Sequence, residues 1–304
     1  MSPSLVLEGE PPRLIDEWQE VPPIWDAVRY KVDTSPDKGL FILTGSATPN
    51  HKGILHSGAG RLPAEQASLV AKEYLRAIVD DDVFRMDGIR RNSTKMLLLL
   101  HSLARNESTT TSNKTLKNDI KDTDNEDIDV VTVAEYLDIF ERLFLTDNIP
   151  PFSTSVRSSV RVKQSVKRHF CDPSIACSLL NLTPTMLVND LETLDLLFEA
   201  LCERDLKIYA ESFGGNLYHY QDYKNREIDA IVEMPDGQWC AFEIKLGANQ
   251  IDAAAQSLLT IKKEIEDDPK GKPPSILCVL CGMSNAAYQR PDGVFVVPIT
   301  ALKN

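Results

Sequence analysis

Along residues 225–247, apolar and polar positions alternate in two runs joined by a turn. The first is Asn225-Arg226-Glu227-Ile228-Asp229-Ala230-Ile231-Val232-Glu233, the second Trp239-Cys240-Ala241-Phe242-Glu243-Ile244-Lys245-Leu246-Gly247. Pro235-Asp236-Gly237 between them supplies turn chemistry, so the stretch predicts a β-hairpin. Successive strand side chains point to opposite faces. Glu227, Asp229, Ile231 and Glu233 therefore share one face of the first strand. Trp239, Ala241, Glu243 and Lys245 share one face of the second, leaving Cys240, Phe242 and Ile244 on the other. The apolar set can enter a core, while Asp229, Glu243 and Lys245 can converge above one sheet face.

Elsewhere the pattern predicts helices and buried strands. Ile24, Trp25, Val28 and Val32 have helical spacing after Pro22-Pro23, between the short run Arg13-Leu14-Ile15 and the buried-strand pattern Gly39–Ser46. Strand, helix, strand with nearly continuous apolar strands suggests a parallel α/β unit. Residues 64–105 are helical by spacing, and residues 106–129 have the Ser, Thr, Asn and Asp content of a flexible linker. A helix follows over Thr132–Leu145, with Thr132 as cap and Glu135 in a capping box. Beyond residue 171 the reading is helices at 173–180 and 188–203, then strands around Lys207–Tyr209 and Asn216–Tyr220. After the hairpin come a helix at 250–265 and strands at 275–281 and 294–297.

Composition narrows the class. At 304 residues the chain has room for about two domains, and 42% hydrophobic with 26% charged residues is ordinary for a soluble protein. No run is long enough to span a membrane and no secretory leader is evident, so the expectation is a cytoplasmic protein with no membrane partner. A net charge of −12 argues against coating nucleic acid by bulk electrostatics, though not against a local basic groove. Arg157, Arg161, Lys163, Lys167 and Arg168 are the candidates for such phosphate contacts, or else a basic strand facing acidic neighbours. His169 beside them reads as structural. Cys278-Val279-Leu280-Cys281 has zinc spacing, but its odd offset within a strand sends the two sulfurs to opposite faces.

Asp229, Glu243 and Lys245 carry the candidate chemistry. Hard cations take oxygen ligands, so an Asp and a Glu suffice to hold Mg²⁺ or Mn²⁺ against a phosphate. A neighbouring lysine can orient the attacking water and offset transition-state charge. A solvated cross-strand ion pair is the plainer alternative.

The Asp-then-Glu-x-Lys arrangement resembles the PD-(D/E)XK nuclease-like superfamily. That resemblance implies Asp229 and Glu243 as metal ligands and Lys245 as the catalytic lysine. It also implies Glu199, in Leu196-Leu197-Phe198-Glu199, as a further metal ligand on the preceding helix, and a role for Gln256 on the following one. Near the N-terminus, Leu14-Ile15-Asp16-Glu17-Trp18 is similar to the Walker B strand of an AAA-type ATPase, with Asp16 for Mg²⁺ and Glu17 for water activation. Leu40-Phe41-Ile42-Leu43-Thr44-Gly45-Ser46 resembles the next strand, Ser46 standing at its polar sensor. The whole resembles prokaryotic ATP-binding proteins with an AAA-type N-terminal domain and a nuclease-like C-terminal domain. No Gly-x-x-x-x-Gly-Lys-Ser/Thr string is present, so the phosphate loop is missing, the chain reads as N-terminally truncated, and ATP is not an expected ligand.

The expected fold class is α/β. A partial AAA-type parallel sheet (1–60) precedes a helical middle with a winged-helix-like element (61–170), in which the resemblance implies a short helix at Thr115–Lys121. A nuclease-like α/β domain (171–304) completes the chain. The expected function is a metal-dependent nuclease acting on DNA with ATPase activity lost, or a catalytically silent module that binds nucleic acid or protein. An open parallel sheet edge makes a homo-oligomer a further expectation.

Overall fold

The computed structural model describes residues 6–16, 18, 23–37, 39–44, 64–84, 88–152 and 165–302. β1 (Arg13–Ile15) and β2 (Phe41–Leu43) pair in parallel across helix α1 (Pro23–Thr34), with Leu14 opposite Ile42. Leu7, Ile15, Ile24 and Val28 form the small core beneath them. This is the predicted strand–helix–strand order, although β2 is shorter than its apolar run.

Among the described residues the α-helices of the middle are α2 (Ala64–Ala77), α3 (Ser93–Arg105), α4 (Asn113–Asp124), α5 (Val130–Arg142) and α6 (Pro173–Leu179). The linker-like stretch 106–129 is therefore ordered around α4. Leu116 and Ile120, four residues apart, face inward and are fully buried, while polar residues fill the solvent side. The Ser112 hydroxyl accepts from the Thr115 amide at 3.1 Å and starts the helix. Composition averaged over both faces hid that stripe. Leu116→Ala should destabilise the fold by about 2–5 kcal/mol, measured by urea unfolding; a change near zero would show that α4 is not packed. The next helix begins at Val130, capped by Asp129 (3.2 Å to the Val131 amide), so Thr132 lies inside it and is not its cap.

Segments 146–149 and 167–170 then pair antiparallel, Thr146 opposite Phe170 and Ile149 opposite Lys167. Arg168 also bridges to Thr109. Among the described residues, the strand pairing within the winged-helix-like element expected here is limited to isolated bridges.

In the C-terminal half α7 (Pro184–Asn189) and the long α8 (Leu191–Ser212) lead into β3 (Asn216–Gln221), β4 (Glu227–Glu233) and β5 (Trp239–Lys245). The strand expected around Lys207–Tyr209 lies within α8. Cys202, Leu206 and Ala210 recur every four residues and bury against the sheet, and that period overrides the local preference of Ile208 and Tyr209. Gly237, at φ +77°, makes the hairpin turn and donates its amide to the Met234 carbonyl at 2.9 Å. After β5 come α9 (Ile251–Asp267), β6 (Ile276–Cys281), β7 (Tyr288–Gln289) and β8 (Phe295–Val297). The six strands run in the order β3-β4-β5-β6-β8-β7. β5, β6 and β8 are parallel, and the other pairs antiparallel.

Helices cover both faces of this sheet. Ala230, Val232, Ile244 and Cys278 pack with α8, whereas Ile231, Trp239, Ala241 and Cys281 pack with α9. Cys278 and Cys281 thus take opposite faces as free, buried thiols. Ile149 and Phe152 from the ribbon extend these two cores, one on each side. The chain is a mixed α/β protein with a small parallel sheet and a larger mixed one. No described helix is long and apolar enough to cross a membrane.

Candidate functional site

Ala230 pairs with Phe242 across the hairpin, which places Asp229 and Glu243 opposite each other one step further along. The Lys245 ammonium bridges them, with Nζ 3.2 Å from Asp229 Oδ2 and 3.1 Å from Glu243 Oε2. The same Asp229 oxygen accepts the Ile244 amide at 2.7 Å. Both carboxylates are nearly closed to solvent, at 8% and 5% exposure, so this is not a solvated surface pair. Burial pushes the Glu243 carboxyl up to about 8, with Asp229 adding to the shift. Burial disfavours charge on Lys245 as well, but the two carboxylates overcome it and hold the ammonium above its ordinary value.

Glu199, from α8, shares with Asp229 and Lys245 the wall of a cavity of about 330 Å³. Its carboxyl is pushed up to about 7 by burial, against the pull of Lys167. Ser108, Thr109 and Thr110 from the α3–α4 connection close the cavity on another side, with Gln221 and Glu227 from β3 and β4.

Lys167 does not present its charge to an open surface. It is 7% exposed, pairs with Glu199, and lies 2.7 Å from Glu203. Burial opposes its charge, but Glu203 and Glu199 raise its pKa well above the ordinary value. The assignment of Lys167 to a basic DNA-facing strip is corrected on this ground: α8 supplies two acids one turn apart, and the desolvated ammonium belongs to them. Arg168 turns the other way and donates to Asn113 Oδ1 at 2.8 Å, tying the ribbon to α4. Arg157, Arg161 and Lys163 lie outside the described residues.

The same network continues inward. His169 sits between Glu107 and Glu203, with Nδ1 and Nε2 3.2 and 3.1 Å from their oxygens. The Ser108 hydroxyl lies 2.9 Å from both Glu199 and Glu203. Burial lowers the imidazole pKa, but Glu203 and then Glu107 overcome it and raise it to about 9. His219, whose Nε2–H donates to the Ser165 carbonyl at 2.8 Å, is instead held neutral by burial, down to about 4. The two histidines act on stability in opposite directions. His169 contributes stability that is complete below the unfolded value near 6.5 and fades as pH rises through about 9. The contribution of His219 is complete above about 6.5 and fades as pH falls towards 4. The part of the unfolding free energy that these two histidines contribute, read as the difference between parent and variant, should therefore fall on both sides of a maximum near neutrality. His169→Gln should flatten the alkaline limb and His219→Gln the acid one; unchanged limbs would refute these assignments.

Sequence reasoning missed Glu107, Ser108, Glu203, His219, Gln221 and Glu227. Glu199 and Glu203, four residues apart on an inward-facing stretch of α8, were the available signal. A hard divalent cation fits the oxygen donors of Asp229 and Glu243, where Lys245 now balances them. Glu199 is turned to Lys167. Among the described residues no group of three or more His, Cys, Asp or Glu side chains is arranged to hold a metal.

Asp16 and Gln256 do not line this cavity. Asp16 accepts from the Thr44 hydroxyl at 2.5 Å across the ends of β1 and β2. Glu17 and Ser46 are outside the described residues. Gln256 is exposed on α9, its main-chain carbonyl accepting from Thr260.

Residues 60–186 match the family model described as Domain of unknown function (DUF8612), and residues 195–302 match Domain of unknown function (DUF4143). No curated protein and no solved structure matches the chain.

Proposed function

We propose that the C-terminal half is a nuclease that hydrolyses DNA phosphodiesters with Mg²⁺ or Mn²⁺, in a chain related to AAA-type ATP-binding proteins. The observation that carries this reading is the convergence of Asp229, Glu243 and Lys245 at one end of the hairpin, where Asp229 and Lys245 line a cavity together with Glu199. Asp229 and Glu243 would hold the cation, which when bound supplies Lewis-acid stabilisation of the phosphate. Lys245 then orients the attacking water and offsets charge on the phosphate oxygens.

A second reading is a binding module that cuts nothing. It is favoured by Lys245 and Lys167, which already neutralise the acids of the site. Labelled single-stranded, duplex and branched DNA, incubated with Mg²⁺ or Mn²⁺, separates the two. Cleavage by the parent chain and not by Lys245→Ala supports the enzyme. Cleavage by neither protein leaves the binding module.

A further inference from the structure

We infer that the cavity takes one nucleotide of an unpaired nucleic-acid strand and excludes intact duplex. This rests on the nuclease reading and adds the substrate class. Strand ends carrying Asp229, Glu243 and Lys245 would by themselves offer an open groove. The α3–α4 connection changes that, because Ser108–Thr110 walls the site into a space of about 330 Å³. Such a volume lies near the lower end of ligand pockets, roughly 300–1,000 Å³, and holds a group the size of one nucleotide.

The wall is anchored at several points. The Ser108 amide donates to the Arg168 carbonyl at 2.9 Å, and the Arg168 amide to the Thr109 carbonyl at 2.8 Å. The Ser108 hydroxyl is held by Glu199 and Glu203, and the Thr110 hydroxyl donates to Gln221 Oε1 at 3.4 Å. A duplex keeps its bases stacked inside and its phosphates on a stiff outer surface. Chemistry inside a walled pocket of this size instead requires the nucleotide to leave the stack. An unpaired strand meets that requirement without breaking base pairs.

The lining suits such a guest. Lys245 offers positive charge to the phosphate, while Thr109, Thr110 and Gln221 offer hydrogen-bonding groups to sugar and base. In the reaction the water oxygen bonds to phosphorus, the P–O ester bond breaks, and the proton lost by water ends on the leaving alcohol.

The test uses the full chain with Mn²⁺ or Mg²⁺ and three end-labelled DNAs of one sequence: single-stranded, blunt duplex, and duplex with an unpaired overhang. The single strand and the overhang should be cut at least about tenfold faster than blunt duplex, with Lys245→Ala silent on all three. Blunt duplex cut as fast as single strand overturns the inference while leaving the nuclease reading intact. Should none be cut, the nuclease reading fails, and fluorescence anisotropy with the same three DNAs decides the pocket. Single strand bound at least about tenfold tighter than duplex supports the inference; equal or absent binding ends it.

Discussion

Replacing Lys167 by alanine should destabilise the folded chain by about 3–5 kcal/mol, the usual cost of stranding a buried charge. Its ammonium sits 2.7 Å from Glu203, which is fully buried, and also pairs with Glu199. Removing it takes the counter-charge from Glu199 and leaves the fully buried Glu203 with only His169 beside it. The attraction lost is smaller than the desolvation cost then left uncompensated. Urea unfolding at neutral pH should show a lower midpoint with an unchanged slope. Lys167→Met with Glu203→Leu should recover much of the loss, because a buried pair replaced as a unit by apolar groups is often neutral. A single variant as stable as the parent would show that this junction contributes nothing to folding.

Lys245→Ala should lower metal-dependent cleavage by about 10²–10³-fold, the range for losing one preorganised group that stabilises transition-state charge. A second readout does not depend on turnover. In the parent, the ammonium balances Asp229 and Glu243 at 3.2 and 3.1 Å. Without it, both carboxylates lack a counter-charge and would raise their demand for a cation. Mn²⁺ should therefore raise the melting temperature of the variant more than that of the parent. Binding to the folded state alone stabilises by about 2.7 kcal/mol at a hundredfold excess over Kd. A variant that cuts like the parent and gains no more from Mn²⁺ would remove Lys245 and its two acids from any cation site.

How much could be read in advance depended on the distance over which each feature is encoded. The hairpin was visible because seven-residue strands and a Pro-Asp-Gly turn fix register within a few residues of themselves. The meeting of Asp229, Glu243 and Lys245 follows from that register. Helix α4 was hidden from composition because two buried residues, Leu116 and Ile120, orient it among ten polar ones. The short stretch Lys207–Tyr209 looked like a strand until the spacing of Cys202, Leu206 and Ala210 was seen at full length. Lys167 was the hardest. Its partners lie 32 and 36 positions away, and Ser108 reaches Glu199 across 91. No local pattern announces such a pairing, so a basic residue in a basic run reads as exposed.

The way β3 is finished bears on any attempt to divide this chain. The His219 amide donates to the Pro150 carbonyl at 3.1 Å and the Phe152 amide to the His219 carbonyl at 2.7 Å, while the Phe152 ring packs tilted against Trp239 with centroids 4.9 Å apart. The rim of the larger sheet is thus bridged at His219 by a piece encoded well upstream of it. Severing the chain between the two matched regions would uncover the His219 amide and carbonyl and the side of Trp239 that Phe152 covers, both invitations to self-association.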